Sequence, residues 1–110
     1  MRGAVSESAI VAQCLEWLAL RRIFAWRNNT GSATVDGRFI RYGHPGSGDI
    51  LGVLPDGRFL SVECKTATGR QSKAQKLFQK MVESRGGVYV LARSSDDLER
   101  AIGQLPAIAP

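Results

Sequence analysis

The chain has 110 residues, 44% of them hydrophobic and 23% charged, which is typical of one folded domain over residues 1–110 and excludes a disordered chain. Lysine and arginine outnumber aspartate and glutamate by 15 to 10, and this excess favours polyanionic partners such as nucleic acid. No apolar run approaches the ~20 residues of a membrane span, and no long apolar secretory signal opens the chain, so we expect a cytoplasmic protein.

The amino-terminal part of the chain predicts a helix. Apolar residues recur at helical spacing from Ile10 to Leu18, and Ser6 stands at the position of a helix N-cap. We expect this helix to end near Arg21 or Arg22.

Extended segments follow the helix. Residues 23–28 (IFAWRN) are rich in aromatic and branched side chains, which is typical of a strand, and residues 38–42 (RFIRY) predict a second extended segment. Between them, residues 28–37 (NNTGSATVDG) are rich in turn-forming residues and predict a loop.

A β-hairpin is predicted in the middle of the chain. Residues 49–54 alternate between two faces, and Pro55-Asp56-Gly57 is a strong turn signal. Residues 58–65 then form the return strand.

The last third of the chain predicts a helix, a strand and a second helix. Ser72 caps the first of these helices, and the glycines at 86–87 end it. Its predicted core positions are Leu77, Phe78, Met81 and Val82. Residues 88–92 (VYVLA) predict a buried strand, and Ser95 opens the final helix. We expect the tail from about residue 106 to be frayed.

This order of elements predicts an α/β fold. The hairpin supplies antiparallel pairing, whereas the strand–helix–strand segment 58–92 requires a right-handed crossover to a parallel neighbour. We therefore expect a mixed central sheet flanked by helices.

Three charged side chains cluster on the hairpin if its loop is Pro55–Gly57. Asp49 then lies directly opposite Glu63, with Cβ atoms ~4.5–5.5 Å apart, and Lys65 points to the same face. A two-residue turn would instead place Asp49 opposite Cys64. We favour the three-residue loop, because it also gathers the apolar residues of the return strand on the other face.

Two carboxylates this close repel each other, and one of them takes up a proton unless a cation lies between them. Mg²⁺ prefers oxygen ligands, accepts one or two carboxylates and keeps waters or phosphate oxygens at its other positions. Beside such an ion, Lys65 would orient an attacking water or stabilise negative charge on a phosphate. The cluster therefore fits phosphodiester hydrolysis. The alternative is an ordinary ion pair on a solvated strand.

The same residues resemble a nuclease signature. Asp49 followed by the tripeptide Glu63–Lys65 (ECK) is similar to the PD-(D/E)xK motif, and the chain resembles the virus-type replication-repair nuclease domain, VRR-NUC. The stretches that carry the resemblance span about residues 6–92: SESAIVAQCLEWL, WRNNTG, GSGDILGVLPDGRFLSVECKTATGRQSKAQKLF and GGVYVL. Gly48 stands where the signature often has proline.

The resemblance implies a restriction-endonuclease-like αβββαβ core and a DNA endonuclease that depends on Mg²⁺ or Mn²⁺. It also implies a branched substrate, such as a flap or a four-way junction, and a protein associated with the nucleoid or with viral DNA. Two alternatives stay open. One is a restriction or nicking nuclease without branch preference, and the other is a non-catalytic, basic DNA-binding protein.

The resemblance further assigns roles within the motif. Asp49, Glu63 and the backbone carbonyl of Cys64 are the implied metal ligands. Lys65 is the implied catalytic cation that acts on the water or the phosphate.

Family members also carry an acidic residue on the first helix and a glutamine on the helix after the motif. Glu7 matches the acidic position as a further candidate catalytic residue and metal ligand, with Glu16 as the weaker match. Glu7 is equally explained as an acid in the first turn of a helix. Gln75 matches the glutamine, although Ser72-x-x-Gln75 is also a capping box.

Basic side chains follow the motif and predict contacts with DNA phosphates. Three of them fall near one face of the second helix. These candidates are Arg70, Lys73, Lys76 and Lys80. A solvated helix face is the alternative.

We also expect a homodimer. One domain of this size carries one set of catalytic residues, whereas a four-way junction has near two-fold symmetry, and C₂ dimers are the commonest oligomers. The candidate contact residues are Phe24, Trp26, Phe39, Tyr42, Ile102, Leu105 and Ile108. Packing in the core is the alternative explanation for some of them.

Overall fold

The computed structural model describes residues 5–105, in which the chain forms three helices and six strands. In chain order these are α1 (Glu7–Leu20), β1 (Phe24–Arg27), β2 (Gly31–Val35), β3 (Arg38–Tyr42), β4 (Ile50–Val53), β5 (Phe59–Cys64), α2 (Lys73–Ser84), β6 (Val88–Ala92) and α3 (Ser95–Ile102). The tail predicted to be frayed lies outside the described residues. Among the helices of the described part, none is long and apolar enough to cross a membrane.

Four strands build one mixed sheet in the order β1-β4-β5-β6. Strand β4 runs antiparallel to β1 and β5, whereas β6 runs parallel to β5. Helix α2 connects these two parallel strands, because parallel neighbours cannot be joined by a tight turn. The predicted α/β fold with a mixed sheet and flanking helices is confirmed.

The two faces of this sheet differ in character. One face packs under α1 and α3 and forms the hydrophobic core. Its buried members are Ile10, Val11, Cys14, Leu18, Ile23, Ile50, Leu54, Leu60, Val62, Cys64, Val90, Ala92, Leu98 and Ile102. Because burying one such aliphatic side chain contributes ~1.5–3 kcal/mol, this face holds the fold together and the other face is free to carry polar groups.

Helix α1 begins as predicted and ends slightly earlier. The Ala9 N–H donates to Ser6 Oγ at 3.1 Å, which satisfies one of the free amides at the helix start. The last helical residue is Leu20, and Arg21 closes the helix. The Arg21 guanidinium also donates to the carbonyl oxygen of Leu105 at 2.8 Å, so it ties α1 to the chain beyond α3.

The hairpin β4–β5 has the predicted register. Ile50 pairs with Val62, and the Leu54 N–H donates to the carbonyl oxygen of Arg58 at 2.8 Å. This hydrogen bond closes the three-residue loop at residues 55–57. The alternative two-residue turn is therefore excluded.

The predicted loop at residues 28–37 is wrong at Gly31–Val35. Gly31–Val35 forms β2 and pairs antiparallel with β3, so the extended segment predicted at 38–42 has a partner. The turn between them has positive φ at both Asp36 (50°) and Gly37 (75°), as a tight two-residue hairpin turn requires. The Asp-Gly dipeptide was the signal for this hairpin. Strands β2 and β3 form a separate two-stranded sheet, called the ribbon below.

Helix α2 begins and ends as predicted. The Gln75 N–H donates to Ser72 Oγ at 3.1 Å, and the Ser72 N–H donates to Gln75 Oε1 at 2.7 Å, which completes the capping box. The helix ends at Ser84, before Gly86 adopts a φ of 81° that favours glycine. Helix α3 begins at Ser95, as predicted.

The predicted core face of α2 is wrong at Leu77 and Met81. Only Val82 is buried, and Phe78 is half-buried. Leu77 and Met81 are exposed, by 61% and 46%. The physical reason is that α2 covers the polar face of the sheet, so that polar side chains of the helix turn towards the sheet.

The loop before Asp49 packs against the first turns of α2. The rings of His44 and Phe78 lie 5.4 Å apart between centroids. Gly46 has a φ of 78°, and a Cβ at this position would lie 2.2 Å from the carbonyl oxygen of Ala74. The loop therefore approaches α2 so closely that only glycine fits at position 46.

Gly46→Ala should lower the free energy of unfolding by about 3 kcal/mol, because a backbone clash adds to the ~1–2 kcal/mol cost of a left-handed residue. Gly86→Ala is the matched control, since its φ is 81° and no atom lies within 4 Å of the added Cβ. It should lose only about 1 kcal/mol. Urea denaturation measures both values, and equal losses would contradict the close packing of the loop on α2.

Candidate active site

Asp49 and Glu63 meet where β4 begins and β5 ends. The neighbouring ladder pair is Ile50 with Val62, so the same register places Asp49 opposite Glu63. The Cys64 N–H donates to Asp49 Oδ2 at 2.8 Å, which ties the aspartate side chain to β5. The predicted opposition of the two carboxylates is confirmed, and the alternative with Asp49 opposite Cys64 is wrong.

Glu63 is a buried carboxyl group with an unsatisfied oxygen. Its relative exposure is 3%, and Oε1 is buried without a hydrogen-bond partner. Burial, followed by the negative charge of Asp49, raises the pKa of Glu63 to about 8, although the positive charge of Lys65 opposes this shift. An unsatisfied buried polar group costs ~1–3 kcal/mol, so this position is unfavourable until a proton or a cation satisfies it.

Lys65 lies beside Glu63 at the end of β5. Its Nζ is 3.9 Å from Glu63 Oε2, and only 13% of its side chain is exposed. The Lys65 N–H donates to the carbonyl oxygen of Ala92 at 3.0 Å, which continues the pairing with β6. Because 3.9 Å is longer than a hydrogen bond, the ammonium can still donate to a third group at the site.

The backbone around Asp49 is held from both neighbouring strands. The Asn28 N–H donates to the carbonyl oxygen of Asp49 at 2.7 Å, and the Gly48 N–H donates to Ser61 Oγ at 3.1 Å. A Cβ at Gly48 would lie 2.7 Å from the carbonyl oxygen of Val62. The glycine in place of the signature's proline therefore has a structural reason, since proline has neither this N–H nor the space.

Glu7 lies on the same side of the molecule as the carboxylate pair. It is exposed in the first turn of α1, close enough for its negative charge to contribute to the raised pKa of Glu63. Glu16 lies two and a half turns further along the helix, about 13 Å away. The geometry therefore favours Glu7 over Glu16 as the acidic neighbour of the site.

Gln75 serves the capping box of α2 through its side-chain oxygen. The adjacent backbone lies against Gly46, since a Cβ at Gly46 would come within 2.9 Å of the Gln75 nitrogen. The first turn of α2 thus faces the loop that leads to Asp49. The side-chain nitrogen of Gln75 is the part that remains for a ligand.

The four predicted DNA-binding side chains all lie at the surface. They are Arg70, Lys73, Lys76 and Lys80. None of them joins an ion pair within residues 5–105, where the paired basic side chains are Arg21, Arg58, Lys65 and Arg100. Their charges are therefore not compensated by neighbouring acids, which suits phosphates and solvent equally.

A polar layer that the sequence pattern did not predict lies between the sheet and α2. The parallel register of β5 and β6 places Tyr89 beside Ser61, on the same face as Glu63. Gln71 Nε2 donates to Tyr89 Oη at 3.2 Å and to Gln79 Oε1 at 2.9 Å. Burial raises the pKa of Tyr89 to about 12, so the phenol keeps its proton. In the sequence, the one indication of this polar layer was the hydroxyl group of Tyr89 within the apolar strand VYVLA.

A cation at this site would find two side-chain carboxylates. Within the described residues, no three histidine, cysteine, aspartate or glutamate side chains form a group able to hold a metal ion. Asp49 and Glu63 instead match a Mg²⁺ site that completes its shell with backbone oxygens, water and substrate. The unsatisfied Oε1 of Glu63 is the atom that fits such an ion.

The comparisons with known proteins assign no function to this chain. No protein-family model matches this chain, and no curated protein matches it significantly. The functional interpretation rests on the arrangement of Asp49, Glu63 and Lys65.

Glu63→Gln should change how stability depends on pH. In the metal-free protein the folded state keeps the Glu63 proton up to a pH of about 8, whereas the unfolded chain loses it near the ordinary pKa of 4.5. The folded state binds more protons in this window, so the free energy of unfolding should fall as pH rises through it, by at most about 5 kcal/mol. Glutamine cannot titrate, so the variant should lose this fall.

Urea denaturation in EDTA at pH 5 and pH 8 measures the difference. Glu16→Gln, on the exposed side of α1, is the matched control and should keep the pH dependence of the wild type. A fall of wild-type size in Glu63→Gln would assign the titration to another group.

Proposed function

We propose that the protein is a Mg²⁺- or Mn²⁺-dependent endonuclease that hydrolyses DNA phosphodiesters, of the VRR-NUC type among PD-(D/E)xK nucleases. The observation that carries the proposal is the buried, unsatisfied Oε1 of Glu63 beside Asp49. A purely structural strand would not retain this pair, because hydrogen-bonding or apolar side chains would stabilise the same position better.

The order of elements in the mixed sheet supports the proposal. Apart from the ribbon and the final helix α3, the elements run α1, β1, β4, β5, α2 and β6, which is the αβββαβ order of a restriction-endonuclease-like core. Asp49 precedes the second strand of this core, and Glu63–Lys65 ends the third. These are the positions that the resemblance to the nuclease motif requires.

The chain's own residues divide into ligands and a fixed cation. Asp49, Glu63 and the backbone carbonyl of Cys64 would hold the metal ion. When bound, such an ion supplies an acidified water and neutralises charge on the phosphate. Glu63 must release its proton to act as a ligand, because its raised pKa keeps the metal-free carboxyl protonated near neutral pH.

Lys65 supplies a second positive charge at the site. Only 13% of its side chain is exposed and its Nζ lies 3.9 Å from Glu63 Oε2, so its position is restricted. A preorganised ammonium of this kind stabilises the negative charge that develops on a phosphate or orients the attacking water. We propose that Glu7 and the side-chain nitrogen of Gln75 position that water.

The uncompensated basic residues provide a path for the DNA backbone. Lys73, Lys76 and Lys80 recur at helical spacing on α2, and Arg70 lies just before this helix. We propose that they contact phosphates on one side of the scissile bond. A branched substrate, such as a four-way junction or a flap, is proposed from the resemblance to VRR-NUC domains.

Asp49→Asn and Glu63→Gln should each abolish cleavage while metal-free DNA binding persists, because the two carboxylates hold the ion and not the DNA. The assay incubates linear, flap and four-way DNAs with Mg²⁺, Mn²⁺ or EDTA, and calorimetry follows Mn²⁺ binding. Glu16→Gln is the matched control and should cleave at the wild-type rate.

Lys65→Ala in the same assay should lower the cleavage rate by ~10²–10³-fold at saturating metal while Mn²⁺ affinity changes little.

Cleavage near the wild-type rate by Asp49→Asn or Glu63→Gln would refute the metal site. If the wild-type protein binds DNA but does not bind Mn²⁺ and does not cleave DNA, the non-catalytic alternative is established. Equal cleavage of linear and branched DNAs would favour the restriction or nicking alternative.

The uncovered part of the sheet supports the proposal of a homodimer. Phe24, Val53 and Phe59 are cross-strand neighbours in one row, on the face that α2 covers only partly. They are 66%, 37% and 38% exposed, and Trp26 beside them is 43% exposed. The three aromatic side chains alone expose about 300 Å². This is a substantial share of the ~800 Å² that each partner contributes to a standard interface.

The other candidate contact residues lie outside this row of side chains. Ile102 is buried in the core, so its prediction as a contact residue is wrong. Phe39 and Tyr42 are exposed, but they lie on the ribbon. Leu105 packs partly against the core, and Ile108 lies outside the described residues.

Phe24→Ser should convert a dimer into a monomer, because it removes the most exposed aromatic side chain of the row. Leu20→Ser is the matched control: Leu20 is 77% exposed on α1, the helix that packs on the opposite face of the sheet. Sedimentation equilibrium at micromolar protein should give twice the 11.9 kDa chain mass for the wild type and the control. A wild-type mass near 11.9 kDa would refute the dimer, and dissociation by Leu20→Ser alone would place the interface on α1.

A further inference from the structure

The ribbon is an exposed arm that contributes no residue to the hydrophobic core. All ten residues of β2 and β3 are exposed, and the two strands pair only with each other. None of the buried residues of the hydrophobic core belongs to it. An isolated two-stranded hairpin is marginally stable in water, so this arm is a poor structural element and is suited to contact a partner.

The arm is rooted at the candidate active site. It is inserted between β1 and β4, at the edge of the sheet where Asn28 pairs with Asp49. The side-chain nitrogen of Asn28 donates to Ser47 Oγ at 2.8 Å and to the carbonyl oxygen of Gly48 at 3.0 Å. These bonds fix the two ends of the insertion to each other, directly beside the carboxylate pair.

The side chains of the arm combine positive charge with aromatic surface. Arg41 and Phe39 lie on one face of the ribbon, with the guanidinium carbon 5.8 Å from the ring centroid. Arg38 stands next to the turn at the tip. Neither arginine joins an ion pair in the described part of the chain, so both charges are open to a partner.

The dimensions of the arm suit double-stranded DNA. Five residues per strand give a length of ~17 Å, and a two-stranded ribbon fits the ~12 Å wide major groove of a duplex. Serine and threonine side chains at Ser32 and Thr34 face the same side as Arg41 and add donors for phosphate oxygens. An acidic protein surface would match the arginines but would not explain why the arm begins at the site.

We propose that the ribbon is a duplex-gripping arm, which lies in the groove of the DNA on one side of the scissile phosphate and positions that phosphate at Asp49 and Glu63. The proposal rests on the proposed nuclease function and names the part of the substrate that the protein holds. Arg38 and Arg41 contact phosphates and are positioning residues, because neither touches the reacting atoms.

The test compares two variants of equal charge. Arg38→Ala/Arg41→Ala removes both arginines of the arm. The matched control, Arg58→Ala/Arg100→Ala, removes two exposed arginines that lie away from it and pair with Asp56 and Asp97. Both proteins should fold as the wild type does, because the arm contributes nothing to the core and the two control arginines are exposed.

Binding of a linear duplex is measured in EDTA at several salt concentrations. Arg38→Ala/Arg41→Ala should bind at least tenfold more weakly than the wild type, and the slope of log affinity against log salt should fall by about two. The control should change neither quantity. Equal effects of the two variants would overturn the arm, since general charge would then explain binding.

Cleavage assays add a length dependence that a merely structural arm would not show. A grip of ~17 Å covers about five base pairs at 3.4 Å each. Trimming the duplex on one side of the cut below that length should slow the wild type, and it should have no further effect on Arg38→Ala/Arg41→Ala. Indifference of the wild type to trimming on either side would also overturn the arm.

Two further outcomes distinguish the DNA-binding arm from the proposed nuclease function and from the proposed homodimer. If the wild type binds duplex DNA through the arginines but does not cleave it with Mg²⁺ or Mn²⁺, the nuclease function fails and the DNA-binding arm stands. If Arg38→Ala/Arg41→Ala converts a dimer into a monomer in sedimentation equilibrium while duplex affinity stays unchanged, the partner of the ribbon is a second copy of the chain, and the arm is overturned.

Discussion

The register of the β4–β5 hairpin is the constraint on which the site depends. Side chains alternate along a strand, so a slip of one residue would turn Asp49 towards the core and carry a core residue to the surface. Two structural features prevent this slip: the closed loop at residues 55–57 and the complete burial of Ile50 and Val62. The apolar packing that stabilises the fold is therefore the same packing that keeps Asp49 opposite Glu63.

The sheet separates stability from chemistry by using its two faces differently. The face under α1 and α3 carries the buried apolar core, and this core offsets the cost of the buried Glu63 carboxyl on the other face. A domain of this size has a net stability of only about 5–15 kcal/mol, so one unsatisfied buried oxygen is a noticeable fraction of it. The side chains around Glu63 limit that cost without removing it, because Lys65 stays at 3.9 Å and Oε1 has no partner.

Local signals made the hairpin and the carboxylate pair predictable from the sequence. A strong turn with alternation on both sides leaves two registers, and the grouping of apolar residues on one face favours the correct one; neither signal needs information from distant parts of the chain. The core face of α2 was not predictable in the same way. Leu77, Phe78, Met81 and Val82 mark an apolar stripe at helical spacing, but the helix packs on a sheet face that carries Tyr89, and that follows only from the parallel pairing of β5 with β6. Such pairing joins residues far apart in sequence, and the polar layer of Gln71 and Gln79 depends on it.

One edge of the sheet gathers most of the features that the proposed chemistry needs. Strands β1 and β5 end there, β4 begins there, and the ribbon is inserted there between β1 and β4. The loop before Asp49 brings the first turn of α2 to the same edge, and Glu7 in the first turn of α1 lies within electrostatic reach of Glu63. A helix start carries about half a positive charge and favours anions. Two such starts near the carboxylate pair oppose the rise in the pKa of Glu63, but burial and the negative charge of Asp49 outweigh them, because that pKa is still raised to about 8.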